Sequence, residues 1–236
     1  MSALHPPSPI HTRDLDSDTE AQRVLLLDLD GVLMDTRPVM EEAWRAVQAT
    51  HGIHVPFKAY QQCLGRPFGD IMDRLSIRDT NRVHTTYSQA AKDASHLARP
   101  FDGMSETLHV CVAAGWLLGV VTSKPLDRAV PLLAQLGCPF GTVRAPGGPG
   151  RGKPAPDPIL LALVDLAADP ADAVYVGDME VDQEAARRAG VAYVHAGWGY
   201  GAPGCPAPET AHSPLGLLPL LGVRTPPAPF IEGGLL

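Results

Sequence analysis

Val24 to Leu27 form an unbroken aliphatic run that ends in the polar turn Asp28-Leu-Asp-Gly31. Such a run, without polar alternation, predicts a strand over about 23–29 buried on both faces, as in the parallel sheets of α/β proteins. Apolar stretches at 116–121, 140–144, 173–177 and 191–195 predict further short strands. Helical spacing fills the intervals. Val39, Met40, Ala43, Trp44 and Val47 recur on one face of a helix that Thr36-Arg37-Pro38 opens and His51-Gly52 closes. Further helices are expected over 57–63, 68–76, 81–98, 104–114, 125–136, 157–167, 182–189 and 214–221. Pro131 lies inside 125–136 and predicts a kink or a broken first half.

From residue 100 onward strands and helices alternate, which implies a doubly wound parallel sheet with right-handed crossovers. Residues 37–99 show no strand pattern and read as an all-helical insert after the first strand. Residues 1–21, with Pro6, Pro7, Pro9 and a polar acidic run, are expected to be a disordered lead-in. Residues 223–236 are expected to be a flexible tail.

The chain has 236 residues, of which 45% are hydrophobic, enough for one sizeable core. Its formal net charge is −7 and it has no basic run, which argues against nucleic acid as a partner. Four cysteines, Cys63, Cys111, Cys138 and Cys205, lie far apart and match neither a zinc site nor a disulfide framework. No apolar run approaches the ~18 residues of a membrane span, and the N-terminus lacks the apolar core of a secretory leader. A reducing, cytoplasmic setting follows as the expectation, with no membrane partner and with the chain a monomer or a homodimer.

Four polar clusters fall at predicted strand ends or in the loops beside them: Asp28/Asp30, Thr122/Ser123, Lys153, and Asp178/Asp182. A parallel sheet brings such ends together, and ligands bind there. The chemistry they suit is phosphoryl transfer. One carboxylate can attack as a nucleophile, and a second can protonate the leaving oxygen and then activate water. Mg²⁺ takes oxygen ligands, commonly carboxylates. A hydroxyl, backbone N–H groups and a lysine can hold phosphoryl oxygens.

Asp28-Leu-Asp-Gly-Val-Leu-Met-Asp-Thr36, Val120-Val-Thr-Ser-Lys-Pro125, Gly152-Lys-Pro-Ala-Pro-Asp157 and Val176-Gly-Asp-Met-Glu-Val-Asp182 resemble, in that order, the motifs of haloacid-dehalogenase-like (HAD) hydrolases. The phosphoglycolate-phosphatase-like branch is the nearest in kind, and Ala186-Arg-Arg-Ala-Gly190 and Gly197-Trp-Gly-Tyr-Gly201 also resemble it. The resemblance implies a Rossmann-like core over 22–37 and 100–222 and a mobile helical cap over 38–99. It implies that Asp28 is the nucleophile and a Mg²⁺ ligand, and that Asp30 is the general acid/base and a ligand through its carbonyl. Thr122 and Lys153 would bind the phosphoryl group, helped by backbone N–H groups at Gly31 and Ser123. Asp178 and Asp182 would complete the metal set, although Asp182 also suits a helix start. Arg66, in the cap loop Gly65-Arg66-Pro67, is a candidate substrate contact.

The function so implied is a Mg²⁺-dependent phosphatase that acts through an aspartyl-phosphate on a small phosphorylated metabolite, such as phosphoglycolate, a sugar phosphate or a biosynthetic intermediate. Asp30 disfavours dehalogenation, which has no leaving oxygen to protonate. A β-phosphoglucomutase-like phosphomutase shares the motifs, but carries an arginine where this chain has Phe68. A non-catalytic module would most simply have lost Asp28 or Asp30, and both are present. Lys124 is expected to be exposed, Trp198 and Tyr200 to serve packing, His195 to be structural, Asp35 to order the turn after Asp28, and Thr122 to cap helix 125–136 as well.

Overall fold

The computed structural model describes residues 22–147, 150–206 and 208–224. In chain order its first elements are β1 (Val24–Leu27), β2 (Met34–Asp35), α1 (Arg37–His51), α2 (Phe57–Gln61), α3 (Phe68–Arg74), α4 (Thr80–Asp93) and β3 (Arg99–Pro100). The alternating part follows as α5 (Met104–Ala113), β4 (Leu117–Val121), α6 (Leu126–Leu133), β5 (Thr142–Arg144), α7 (Asp157–Asp165), β6 (Ala173–Gly177), α8 (Glu180–Ala189) and β7 (Ala192–Ala196). β8 (Glu209–Ala211) and α9 (Leu217–Leu220) come last.

All four residues of β1 are fully buried because the strand has a neighbour on each edge and a core on each face. Successive strand side chains point to opposite faces. Leu25 and Leu27 enter one core, with Met104, Leu108, Leu132 and Leu217 from α5, α6 and α9. Val24 and Leu26 enter the other, with Ile159, Leu163 and Ala185 from α7 and α8. The sheet runs β5-β4-β1-β6-β7-β8, and every pairing is parallel. β4, β1 and β6 are adjacent, so the loops after them open side by side.

The helical segment stands between two strands of its own. β2 and β3 pair antiparallel, Met34 with Pro100 and Asp35 with Arg99, where the chain leaves for the helices and returns. Inside the segment Trp44 stacks on Tyr60, ring centroids 4.3 Å apart, and its Nε1 donates to the Val55 carbonyl at 2.8 Å.

Several expectations shift. The helix expected over 81–98 stops at Asp93 and continues as a 3₁₀ turn at Ser95–Leu97. The first half of the helix is not broken at Pro131: α6 runs through it to Leu133, and a 3₁₀ turn then spans Ala134–Leu136. α8 begins at Glu180, ahead of the expected 182, and α9 covers only Leu217–Leu220. β8 and the β2–β3 ribbon lack any aliphatic run and exist by pairing. Val223, placed in the expected tail, is buried, and its N–H donates to the Leu218 carbonyl at 2.8 Å. The expected lead-in 1–21 and the tail from 225 lie outside the described residues. Among those described, no helix is long and apolar enough to cross a membrane.

Leu26 tests the central packing. It lies between Gly119 and Tyr175 on the neighbouring strands. A Cβ on Gly119 would come within 2.6 Å of its Cδ2, so the space is filled. Leu26→Ala should cost about 2–5 kcal/mol. Urea unfolding should show a lower midpoint at unchanged m. A cost below about 1 kcal/mol would contradict this packing.

Candidate active site

The site begins where β4, β1 and β6 end. Asp28 follows Leu27 directly, Thr122 follows Val121 and Asp178 follows Gly177, so sheet geometry delivers the three side by side. The Asp28 N–H donates to the Val176 carbonyl at 2.9 Å, tying the first turn to β6. Lys153 arrives from the loop between β5 and α7, and Asp182 from the first turn of α8.

Lys153 is the hub. Its Nζ lies 3.0 Å from Asp28 Oδ1 and 2.7 Å from Asp182 Oδ1. It also reaches the Tyr175 hydroxyl at 3.1 Å and the Val121 carbonyl at 3.5 Å. The Tyr175 hydroxyl donates in turn to Asp182 Oδ1, 3.0 Å away. Asp182 Oδ2 accepts the Met179 N–H at 3.0 Å and so caps α8. Asp28, Lys153, Asp178 and Asp182 are all buried.

Three carboxylates therefore face one ammonium out of water. Burial, joined by Asp182 and Asp30, pushes the Asp28 carboxyl up to about 7 against the pull of Lys153. Burial, then Asp182 and Asp28, holds the Asp178 carboxyl well above the usual range. Burial alone would lower Lys153, but Asp182 and Asp28 outweigh it and raise the ammonium above its ordinary value. Each direction reflects excess negative charge in a medium that screens poorly.

Oxygens of Asp28, Asp178 and Asp182 lie within 4.8 Å of one another. Asp178 Oδ2 accepts the Tyr200 N–H at 2.7 Å, while its Oδ1 is buried with no hydrogen-bond partner among the described residues. An orphaned carboxylate oxygen inside an over-negative cluster fits a hard divalent cation. Asp182 differs, because both its oxygens already accept from Lys153, Tyr175 and Met179. Its first task in this structure is to hold the lysine.

Asp30 stands apart at the mouth. Its Oδ1 accepts the Thr36 hydroxyl at 2.5 Å and meets Lys124 Nζ at 3.0 Å. Lys124 is thus not the exposed residue expected; its side chain is 10% accessible and paired. Gly31 has φ +85°, and a Cβ there would sit 2.2 Å from Asp178 Oδ2. Only glycine lets the first turn pass the third strand's carboxylate so closely. Thr122 does not cap α6, whose N-cap is Pro125; its Oγ1 accepts the Lys124 N–H at 3.0 Å. The Ser123 hydroxyl donates to the Gly65 carbonyl at 2.7 Å, joining the β4 end to the helical segment. Arg66, next along, is half-buried and lines the cleft.

Two tyrosines are more than packing. Tyr175 was unforeseen, although a hydroxyl inside Ala-Val-Tyr-Val-Gly is the one polar group of an otherwise apolar strand. Besides its N–H bond to Asp178, Tyr200 accepts the N–H groups of Thr36 and Arg37 on its hydroxyl at 2.6 and 3.0 Å. That hydroxyl donates to Asp35 Oδ1, 2.9 Å away. It serves the start of α1, which has no side-chain cap of its own. His195 is buried with Nδ1 3.3 Å from the Tyr193 hydroxyl, away from the cluster around Lys153. A cleft of about 690 Å³ opens between these strand ends and the helical segment.

The chain is similar to several known proteins. The model of the haloacid dehalogenase-like hydrolases matches residues 25–196. An N-acetylmuramic acid 6-phosphate phosphatase of Pseudomonas aeruginosa is 30% identical over 189 residues, which cover 75% of this chain and 83% of that protein. A phosphoglycolate phosphatase of Cupriavidus necator is 32% identical over 215 residues, covering 86% and 93% respectively. A hydrolase structure from Pseudomonas syringae superposes with a TM-score of 0.75 at 24% identity, over 85% of this chain and 98% of its own.

The raised carboxylates make a pH prediction. A folded-state pKa above the unfolded value stabilises the protein below the unfolded pKa, and that stability is lost as pH rises through the folded pKa. For Asp28 the window runs from 3.8 to about 7. In metal-free protein, Asp178→Asn should therefore raise Tm at pH 7.5 and change it less at pH 5. Mg²⁺ should raise the wild-type Tm more at pH 7.5 than at pH 5, and should lose most of that effect in the variant. A wild-type Tm indifferent to Mg²⁺ at both pH values would show that the cluster is not a cation site.

Proposed function

This chain belongs to the haloacid dehalogenase-like hydrolase family, and from that premise we propose that it is a Mg²⁺-dependent phosphomonoester hydrolase working through an aspartyl-phosphate. The observation that carries the reading is the placement of Asp28. It is a buried carboxylate at the mouth of the sheet, held by Lys153 and flanked by Asp178. Asp28 would attack the phosphorus as the ester P–O bond breaks. Asp30 would give its proton to the departing alkoxide, then take one from the water that opens the acyl phosphate and frees inorganic phosphate. In this structure Asp30 rests on Thr36 and Lys124, so delivering the proton requires it to turn from them toward the leaving oxygen. The Thr122 hydroxyl, Lys153 and backbone N–H groups near Gly31 and Ser123 would hold the phosphoryl oxygens.

Asp28 and Asp178 are the residues best disposed to hold Mg²⁺, with the Asp30 carbonyl and Asp182 completing the set that the family resemblance implies. When bound, the ion supplies charge compensation between carboxylates and phosphate and polarises the phosphoryl group. Residues 38–99 would act as a cap over the core of 22–37 and 100–222. The β2–β3 ribbon is the natural hinge, since both chain crossings pass through it.

Hydrolysis is favoured over phosphomutase chemistry. Phe68, where the mutases carry an arginine, packs edge-on to His84 with centroids 4.9 Å apart and brings no charge to the cleft. The names of the relatives suggest phosphoglycolate and N-acetylmuramic acid 6-phosphate as the first substrates to assay.

Asp28→Asn should remove essentially all Mg²⁺-dependent turnover of p-nitrophenyl phosphate and leave the circular dichroism spectrum unchanged. A variant within tenfold of wild type would mean that Asp28 is not the nucleophile. Asp30→Asn should slow turnover of an alkyl phosphate by about 10²- to 10⁴-fold. The loss should be smaller for p-nitrophenyl phosphate, whose leaving group needs little protonation. Equal losses on the two esters would count against Asp30 as the acid.

A further inference from the structure

The cleft holds more positive charge than the phosphoryl site uses. Lys153 and Lys124 are paired with the catalytic carboxylates. Arg144 pairs with Asp165 and Arg151 with Asp157. Arg66 and Arg128 also line the cleft, both half-buried, and neither has a carboxylate partner among the described residues. Arg66 comes from the loop between α2 and α3, and Arg128 from the first turn of α6. The two reach the cleft from its two walls.

Arg128 shares the cleft with Tyr60, Phe68, His84 and Tyr87 of the helical segment. Burial, then Arg128, pushes the His84 imidazolium below its ordinary value. Phe68 packs against both His84 and Tyr87. Guanidinium groups that line one cleft with aromatic side chains, and have no carboxylate partner among the described residues, are suited to a planar or tetrahedral anion brought by a ligand. The volume of about 690 Å³ leaves room for a substrate body beyond one phosphoryl group.

We propose that Arg128 and Arg66 bind a second acidic group of the substrate, carboxylate or phosphate, apart from the phosphoryl group that Asp28 attacks. This rests on the phosphatase reading and narrows it: the substrate is a phosphomonoester with a second anionic group. The acidic group would also bridge the walls, since one arginine belongs to each.

The test compares matched esters on the full-length protein with Mg²⁺. 3-Phosphoglycerate and glycerol 3-phosphate differ in a carboxylate against a hydroxymethyl group. Glucose 1,6-bisphosphate and glucose 6-phosphate pose the same question for a phosphate. In wild type, at least one acid-bearing member should have a kcat/KM about tenfold or more above its neutral partner, mainly through KM. Arg128→Gln should lower that ratio by about tenfold or more, whereas Arg128→Lys, which keeps the charge but loses the planar fork, should lower it less. Wild-type ratios near one for both pairs overturn the proposal. So does an Arg128→Gln variant that slows both members of a pair equally, because that marks a structural role. Failure to release phosphate from p-nitrophenyl phosphate or any of the four esters would instead overturn the phosphatase reading, so the two failures are distinguishable.

Discussion

Asp28, Asp178 and Asp182 crowd together out of water beside one ammonium that pairs with only two of them, and much of the rest of the site answers to that constraint. A buried ion pair yields little net stability, and removing one partner typically costs about 3–5 kcal/mol because the other charge is stranded. Here the imbalance is present from the start. Lys153 engages two carboxylates, a phenol and a carbonyl, and Asp178 is not among its partners. The excess negative charge stays on the side where Asp178 Oδ1 has no partner among the described residues. The protein thus keeps a destabilised cluster that a cation can relieve, a stability cost that commonly accompanies function.

The backbone around the cluster holds it against its own repulsion. Gly31 and Gly199 both lie where a Cβ would strike the Asp178 side chain, at 2.2 and 2.3 Å. The turn after β1 and the loop after β7 are therefore closed tightly around one carboxylate. Tyr200 follows in that second loop and connects two parts of the structure. Its N–H fixes Asp178, and its hydroxyl receives the first amides of α1. Motion of the helical segment about β2 and β3 would act on the Tyr200 hydroxyl, and through the same residue on the loop that orients Asp178. Thr36 adds a second link, since it both precedes α1 and holds Asp30.

The parts of this arrangement legible in the sequence are those written locally. An aliphatic run followed by aspartate names both a buried strand and its polar end, and adjacent parallel strands do the rest. That is why Asp28 and Asp178 could be picked out before their distances were known, while Lys153 and Asp182 were legible only through the short motifs around them. The unforeseen contacts are between residues far apart in the chain. Nothing near Lys124 indicates that it will meet Asp30, ninety-four positions earlier, and its neighbours made it look like a surface lysine. Tyr175 and Lys153 belong to different loops and strands, and only the fold brings the phenol under the ammonium. β8 escaped notice for a related reason: Glu-Thr-Ala has no strand pattern and is extended because β7 offers an edge to pair with. Arg128 was hidden by its own helix, where one arginine among Leu-Asp-Arg-Ala-Val reads as a solvated side chain.

The two walls of the cleft differ in how their polar groups are engaged. On the core side the catalytic candidates are held by one another: Lys153 by two aspartates, Asp30 by Thr36 and Lys124, Asp182 by three donors. Such mutual anchoring favours chemistry that must repeat with the same geometry whatever the substrate. Where the helical segment faces the core, aromatic side chains share the cleft with two arginines that have no carboxylate partner among the described residues. An unpaired guanidinium discriminates well, because a substrate lacking the matching anion leaves it desolvated and unsatisfied, while the right one gains paired hydrogen bonds. The same contrast suits relatives named as phosphatases of different phosphate esters. Changing the residues around Arg66 and Arg128 can alter which molecule is accepted without disturbing the network that holds Asp28.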